Sequence, residues 1–117
     1  MTITISGDCP SKKNSRILSF KGNRPMSFPG KYYSQWLRDA NKQLYKVPYF
    51  AKPKLITLTF FPKTKRSSDL SNKMESVMDC LVENGVLLDD NWYEVPHVEL
   101  IFGGVDKINP RVEIEIN

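Results

Sequence analysis

Apolar and polar residues recur with clear periods along the first half of the chain, and these periods predict its secondary structure. Residues 2–7 begin with alternating threonine and isoleucine followed by serine, which predicts a half-buried strand. Residues 31–46 contain no proline or glycine and predict an amphipathic helix with a basic outer face. Its apolar side chains at helical spacing are Tyr33, Trp36, Leu37, Ala40 and Leu44. Residues 54–61 predict a central strand, and because neighbouring strand residues point to opposite faces, at least one of Phe60 and Phe61 belongs to the core.

The second half of the chain predicts one more helix and two more strands. The helix covers residues 70–84 and ends before Gly85, which suits the left-handed position beyond a helix. Its buried stripe consists of Leu70, Met74, Val77, Met78 and Leu81. Residues 97–102 and 111–116 predict strands joined through a Gly-Gly and an Asn-Pro pair. The order βαβαββ predicts a single α+β domain over residues 1–117, with a four-stranded mixed sheet and two main helices.

Between the first strand and the first helix, residues 8–30 predict a long polar loop. The segment contains three prolines and several glycines and asparagines. A loop of this length in a small domain is usually functional or mobile. The loop also carries the basic residues Lys12, Lys13, Arg16, Lys21 and Arg24.

Length and composition exclude several classes of protein. At 117 residues, 40% of them hydrophobic, the chain is one globular domain large enough for a modest core. Cys9 and Cys80 lack the Cys-x-x-Cys spacing of zinc or redox motifs, so we interpret them as reduced thiols. The N-terminus lacks the apolar run of a signal peptide, and no stretch approaches membrane-spanning length. We therefore expect a cytoplasmic protein with no membrane partner.

Charge is divided unevenly along the chain. Residues 1–68 hold 14 lysines and arginines and two acidic residues, a net charge of +12. Residues 69–117 hold three lysines and arginines and 11 acidic residues, a net charge of −8. The two halves together give the net charge of +4. One interpretation is that a phosphate backbone lies along the basic half while a metal ion occupies the acidic half. The other is that the two halves form ordinary solvated faces.

Acidic residues concentrate around the second predicted helix. Asp69 and Asn72 stand at its start, Asp79 lies on it, and Asp89 and Asp90 follow the turn after it. Like charges at this density repel one another unless a cation holds them together. Hard oxygen ligands of this kind suit Mg²⁺ or Mn²⁺ rather than zinc.

Helical geometry predicts which of these side chains share a face. At about 100° per residue, Asn72, Glu75 and Asp79 project within about 60° of one another. The predicted metal ligands are Asp69, Glu75, Asp79 and Asp90. Each also has a purely structural interpretation: Asp69 as a helix cap, Glu75 and Asp79 as solvated residues, and the acidic pair as part of a polar turn.

The acidic segment resembles a known family. Asp-x-x-Asn beginning at Asp69, then aspartate at +10, glycine at +16 and Asp-Asp at +20 and +21, resembles the core of the RusA family of Holliday junction resolvases. The Pro-Ser-Lys-Lys-Asn segment at residues 10–14, after a first short strand, is similar to that family's N-terminal region. Chain length and the βαβαββ order agree with a RusA-like fold. The resemblance covers nearly the whole chain, and residues 69–90 carry its specific part.

The resemblance implies a homodimeric, Mg²⁺-dependent endodeoxyribonuclease, of a kind often encoded by phages or prophages. Such an enzyme nicks four-way DNA junctions symmetrically in recombination and repair. The family's essential residues are three aspartates and a lysine, and Asp69 and Asp90 fall on the first and last aspartate. Ser71 stands where the second aspartate is expected, and Glu75 stands where the lysine is expected. Glu75 is therefore expected to replace the missing carboxylate.

These considerations lead to one main hypothesis and two others. For the main hypothesis, the catalytic residues are Asp69, Asn72, Glu75 and Asp90. The expected phosphate contacts are Lys12, Lys13, Arg16, Lys63, Lys65 and Arg66. The first alternative is a catalytically degenerate protein that binds branched DNA without cutting it. The second is a small α+β interaction module whose acidic helix meets a basic partner protein.

Overall fold

The computed structural model describes residues 1–11, 16–21 and 24–117. Its strands are β1 (Thr2–Ser6), β2 (Arg16–Lys21), β3 (Arg24–Pro29), β4 (Ile56–Phe61), β5 (Val98–Phe102) and β6 (Arg111–Ile116). Its helices are α1 (Lys31–Leu44), between β3 and β4, and α2 (Leu70–Glu83), between β4 and β5. Apart from β2 and β3, this is the predicted order βαβαββ.

Four strands form the main sheet, in the order β1-β6-β4-β5. β6 pairs antiparallel with both β1 and β4, whereas β4 and β5 pair in parallel, so the sheet is mixed. Parallel neighbours need a crossover connection, and α2 supplies it. Because β5 and β6 lie on opposite sides of β4, the chain between them crosses that strand. The predicted α+β fold is confirmed.

The prediction of an unbroken loop over residues 8–30 was wrong for two segments. β2 and β3 form a separate antiparallel two-stranded sheet, with Arg16 opposite Pro29 and Lys21 opposite Arg24. Pro25 and Pro29 both lie in β3, and proline cannot donate a ladder hydrogen bond. Each strand of a two-stranded sheet is an edge strand, where proline is tolerated. The prolines therefore concealed a strand in the sequence without preventing it.

One face of the main sheet carries the hydrophobic core. Every second residue of β4 is buried, namely Ile56, Leu58 and Phe60. Phe61 points to the opposite face, where the Arg111 guanidinium lies 4.0 Å from the centre of its ring. The prediction that at least one of these two phenylalanines belongs to the core is confirmed, and that residue is Phe60.

Both helices contribute their predicted apolar faces to this core. α1 buries Tyr33, Trp36, Ala40 and Leu44. α2 buries Ser76, Val77, Met78, Cys80 and Leu81, while Leu70 and Met74 pack against the core partly buried. The buried face of α2 is thus wider than predicted, because it includes a serine and a cysteine. Among the described residues, neither helix is long and apolar enough to cross a membrane.

Candidate functional site

Asp69 lies at the start of α2, as the sequence predicts. It is the residue before the first helical turn, and its side chain makes no capping hydrogen bond. The Asn72 side chain instead donates a long hydrogen bond of 3.5 Å from Nδ2 to Asp69 Oδ2. Asp69 is exposed, so its carboxylate is accessible to a ligand or a cation. The structural role predicted for Asp69, a side-chain helix cap, is therefore not observed.

Asp89 and Asp90 form an ordered turn after α2. The Asp90 backbone N–H donates to Asp89 Oδ1 at 2.7 Å, and Asn91 Nδ2 donates to Asp89 Oδ2 at 3.2 Å. Asn91 Oδ1 accepts from the backbone N–H groups of Tyr93 and Glu94 at 3.0 and 3.1 Å. The polar-turn interpretation is therefore correct for this segment, and the turn holds two carboxylates next to each other.

The carboxyl groups of this turn differ in their electrostatics. Partial burial raises the pKa of Asp90, and the hydrogen bond and negative charge of Asp89 and the charge of Asp79 raise it further. The Asp90 backbone N–H lowers the pKa of Asp89. Asp79 therefore acts on Asp90 through space, although the two residues are eleven apart in the sequence. Asp79 makes the smallest of these contributions to the pKa of Asp90.

Asp69 stands apart from Asp79. α2 rises about 1.5 Å per residue, so ten residues place them about 15 Å apart along the axis. Two aspartate side chains cannot cover that distance to share one Mg²⁺ at about 2.1 Å from each oxygen. Over the described residues 1–11, 16–21 and 24–117, no three His, Cys, Asp or Glu side chains form a group that could hold a metal ion. The four predicted metal ligands therefore do not all bind one ion directly.

A cavity of about 920 Å³ opens beside Asp69. It lies between the β4–α2 connection, the loop after β1 and the chain beyond β5. Its polar wall includes Lys65, Arg66, Ser67, Ser68, Asp69 and Lys73. The cavity thus combines one predicted catalytic carboxylate with cationic side chains suited to phosphate.

Two side chains of α2 hold the loop that follows β1. Lys73 Nζ donates to the Cys9 carbonyl at 2.5 Å, and Ser76 Oγ donates to the Pro10 carbonyl at 2.8 Å. The Cys9 thiol packs within 3.7 Å of the Lys73 carbonyl, and burial raises the pKa of this thiol. The thiol therefore stays protonated at neutral pH. These contacts fix Cys9 and Pro10, which directly precede the basic residues of the loop, against α2.

We expect Ser76→Ala to lower the free energy of unfolding by about 1–2 kcal/mol, because it removes the hydroxyl donor of the buried Pro10 carbonyl and leaves only the weak Cys9 thiol donor at 3.7 Å. Ser76 is fully buried. Ser71→Ala is the matched control, since Ser71 is exposed on the same helix and is expected to change the free energy by no more than about 0.5 kcal/mol. Urea unfolding of both variants measures the difference. An equal effect of the two substitutions would contradict a role for Ser76 in holding the loop.

The predicted phosphate contacts fall into two groups. Lys63, Lys65 and Arg66 are exposed in the connection from β4 to α2, and the last two line the cavity. The Lys63 backbone N–H donates to Asp8 Oδ1 at 3.2 Å, which ties this connection to the loop after β1. Lys12, Lys13 and the Arg16 side chain lie outside the described residues.

Sequence reasoning missed an aromatic pair beside the acidic turn. Trp92 and Tyr93 are each 76% exposed, and their rings meet edge to face at 6.0 Å. Exposed tryptophan and tyrosine side chains are common anchors in binding surfaces. The signal in the sequence is an Asn-Trp-Tyr run directly after Asp89 and Asp90, where a polar turn has no structural need for two large rings. Compared with protein-family models and with curated proteins, the chain matches none.

Proposed function

We propose that this protein is a Mg²⁺-dependent, RusA-like endonuclease that nicks four-way DNA junctions symmetrically. The observation that supports this proposal most is the position of Asp69. Its accessible carboxylate stands at the edge of a cavity whose wall includes Lys65 and Arg66. A hydrolase acting on phosphodiesters needs cations that bind the phosphate next to carboxylates that bind a metal ion.

The β4–α2 connection is the proposed phosphate-binding element. Lys65 and Arg66 are exposed there, four and three residues before Asp69. The first backbone N–H groups of a helix also attract anions, and α2 begins at Leu70. A phosphate held by these groups lies within reach of the Asp69 carboxylate. Lys73 does not join them freely, because its ammonium group is bonded to the Cys9 carbonyl.

The residues of this chain fit a Mg²⁺ ion that takes most of its ligands from water and phosphate. Proteins commonly bind Mg²⁺ through only one or two carboxylates. Asp69 and Asp90 would hold the ion, whereas Glu75, which is exposed on α2, would not be a third ligand of it. Asp79 would contribute through its charge on Asp90 rather than as a direct ligand beside Asp69. When bound, Mg²⁺ or Mn²⁺ neutralises charge on phosphate oxygens and lowers the pKa of a bound water.

The other side chains position the reacting groups. Asn72, whose Nδ2 lies 3.5 Å from Asp69 Oδ2, would help to position the Asp69 carboxylate. The Asp89–Asn91 turn restrains the Asp90 backbone through the hydrogen bond from its N–H to Asp89, and Asn91 in turn donates to Asp89. A carboxylate not bound to the ion would orient or deprotonate the attacking water. Two symmetric nicks require two matched active sites, which a two-fold symmetric homodimer supplies.

A second candidate function is binding of branched DNA without cleavage. The residues that favour it are Ser71 and Glu75, which stand where the family has its second aspartate and its lysine. Both side chains are exposed on α2 near Asp69, so neither departure is explained by core packing. In this case the basic connection still binds phosphate, while the acidic residues no longer support chemistry.

Incubation with a mobile synthetic four-way junction tests the two functions against each other. We expect paired, symmetric nicks that require Mg²⁺ or Mn²⁺, with linear duplex of the same sequence left intact. Products separated on a denaturing gel measure both the position of the nicks and their pairing. Tight junction binding with no product in either metal would replace the proposed enzyme by the non-cutting binder. Equal affinity for junction and linear duplex would contradict both functions.

A further inference from the structure

The cavity beside Asp69 has a second wall that phosphate binding does not use. Its apolar side chains include Phe60 at the base and Tyr32, Phe102 and Val105 at the rim. Phe60 is buried, whereas the three rim residues are 56%, 59% and 41% exposed. Large apolar side chains exposed around a concave surface indicate a binding site. The cavity therefore offers aromatic surface on one side and cationic side chains on the other.

The ring of Tyr32 is held in place at this rim. Its hydroxyl donates to the Asp8 carbonyl at 2.5 Å, and this hydrogen bond joins the start of α1 to the loop after β1. Partial burial and the nearby Asp8 charge raise the pKa of Tyr32 to about 12, so the hydroxyl remains a donor at neutral pH. A restrained aromatic ring loses little entropy when a flat ligand stacks on it.

The charge of the cavity favours an anionic ligand. Lys65, Arg66 and Lys73 oppose Asp8 and Asp69, which leaves one positive charge in excess. Lys65 and Arg66, unlike Lys73, do not hydrogen-bond to a backbone carbonyl of any described residue. They lie on the cavity wall formed by the segment just before α2. A volume of about 920 Å³ lies within the range of small-ligand sites, roughly 300–1,000 Å³.

We infer that this cavity binds one unpaired nucleotide, with the base on Phe102 and Tyr32 and its phosphate on Lys65 and Arg66. The inference rests on the proposed function, because unpaired nucleotides occur at the centre of an opened four-way junction. It adds that the protein selects branched DNA by accommodating an unstacked base next to Asp69. Aromatic stacking tolerates any base, so the site recognises unpairing rather than sequence.

Binding of fluorescein-labelled pentathymidylate, measured by fluorescence anisotropy without divalent metal, tests the site separately from cleavage. We expect Phe102→Ala to weaken binding about tenfold, the usual effect of losing one base-stacking ring. Ile101→Ala is the matched control, expected to bind as the wild type does. Ile101 precedes Phe102 in β5, is 43% exposed, and points to the opposite face of the sheet. Phe102→Leu, which keeps the apolar side chain and loses the ring, serves if the alanine variant does not fold.

Competition experiments distinguish the source of the nucleotide. Thymidine 5′-monophosphate is expected to displace the oligonucleotide only at much higher concentration, because a strand contributes several phosphates. Displacement by the monophosphate at equal concentration would overturn the assignment to a DNA strand. Displacement by inorganic phosphate equal to that by the monophosphate would overturn the base-binding wall.

The site and the proposed enzyme can fail separately. If Phe102→Ala and Ile101→Ala bind pentathymidylate equally well, the nucleotide site is wrong, whether or not the wild type cuts junctions. If Phe102→Ala alone loses affinity but the wild type never cuts a junction, the nucleotide site stands and the proposed nuclease activity is wrong.

Discussion

Asp90→Asn is expected to lower the rate of Mg²⁺-dependent junction cleavage at least about 100-fold. Substituting a residue that only supports a metal ligand already lowers metal affinity or activity roughly 10- to 100-fold, and Asp90 is proposed to be a ligand itself. Junction affinity should remain the same or increase, because the substitution removes a negative charge that would face DNA in the proposed complex. Asparagine keeps the shape of the side chain and relieves its repulsion from Asp89 and Asp79. Thermal stability should therefore be unchanged or slightly higher. Single-turnover cleavage of a prebound junction measures the chemical step, and a gel-shift titration measures affinity.

Glu94→Gln is the matched control for this experiment. Glu94 belongs to the same turn, where its backbone N–H donates to Asn91, and the substitution removes the same amount of charge. We expect cleavage by this variant to stay within a few-fold of the wild type. Loss of affinity together with cleavage in Asp90→Asn would mark Asp90 as structural. Comparable loss of cleavage in both variants would show that general charge, and not the Asp90 carboxylate, is needed.

Leu58→Ala is expected to lower the free energy of unfolding by about 2–5 kcal/mol, the usual cost of a cavity left by a buried leucine. Leu58 is fully buried at the centre of the main sheet. It pairs with Leu100 of β5 on one side and Ile114 of β6 on the other. Neighbours on both sides limit how far the sheet can collapse into the space. Because the sheet also positions Phe60 and Phe102, the loss is expected to loosen the cavity beside Asp69.

Thr57→Ala tests whether the burial pattern of β4 has been interpreted correctly. Thr57 precedes Leu58 and lies half-buried on the opposite face of the sheet. Its substitution should cost no more than about 1 kcal/mol, the range of strand propensity. Urea unfolding of both variants provides the comparison. A loss for Thr57→Ala as large as that for Leu58→Ala would mean that the core is not confined to the face carrying Leu58.

The bounds of the main elements followed from local patterns. The alternation around Phe60 and Phe61 and the helical spacing of Val77, Met78 and Leu81 each identify a buried face within a few residues of sequence. Such periods depend only on backbone geometry, so they can be recognised without knowing what the face packs against. β3 escaped detection because its two prolines obscured the pattern, and β2 because its pairing depends on that strand.

The candidate site was only partly accessible to this kind of reasoning. The spacing of Asp69, Asn72 and Asp90 marked a functional segment, and the structure brings Asn72 into contact with Asp69 as helical geometry requires. The rise of α2, about 1.5 Å per residue, separates Asp69 from Asp79. Helical projection angles hide that separation, because they describe direction around the axis and not distance along it.

Local patterns along the chain were sufficient to predict the fold class, the buried faces of the two main helices and the acidic segment that carries the proposed chemistry. Tertiary structure alone decided that Asp79 acts on Asp90, that Lys73 is held by the Cys9 carbonyl, and that Tyr32 and Phe102 border the same cavity. Tyr32 and Phe102 are seventy residues apart. Contacts at such separations depend on the order of the strands in the sheet and on the path of the connecting segments. The local periodicity of the sequence contains no information on strand order or on that path.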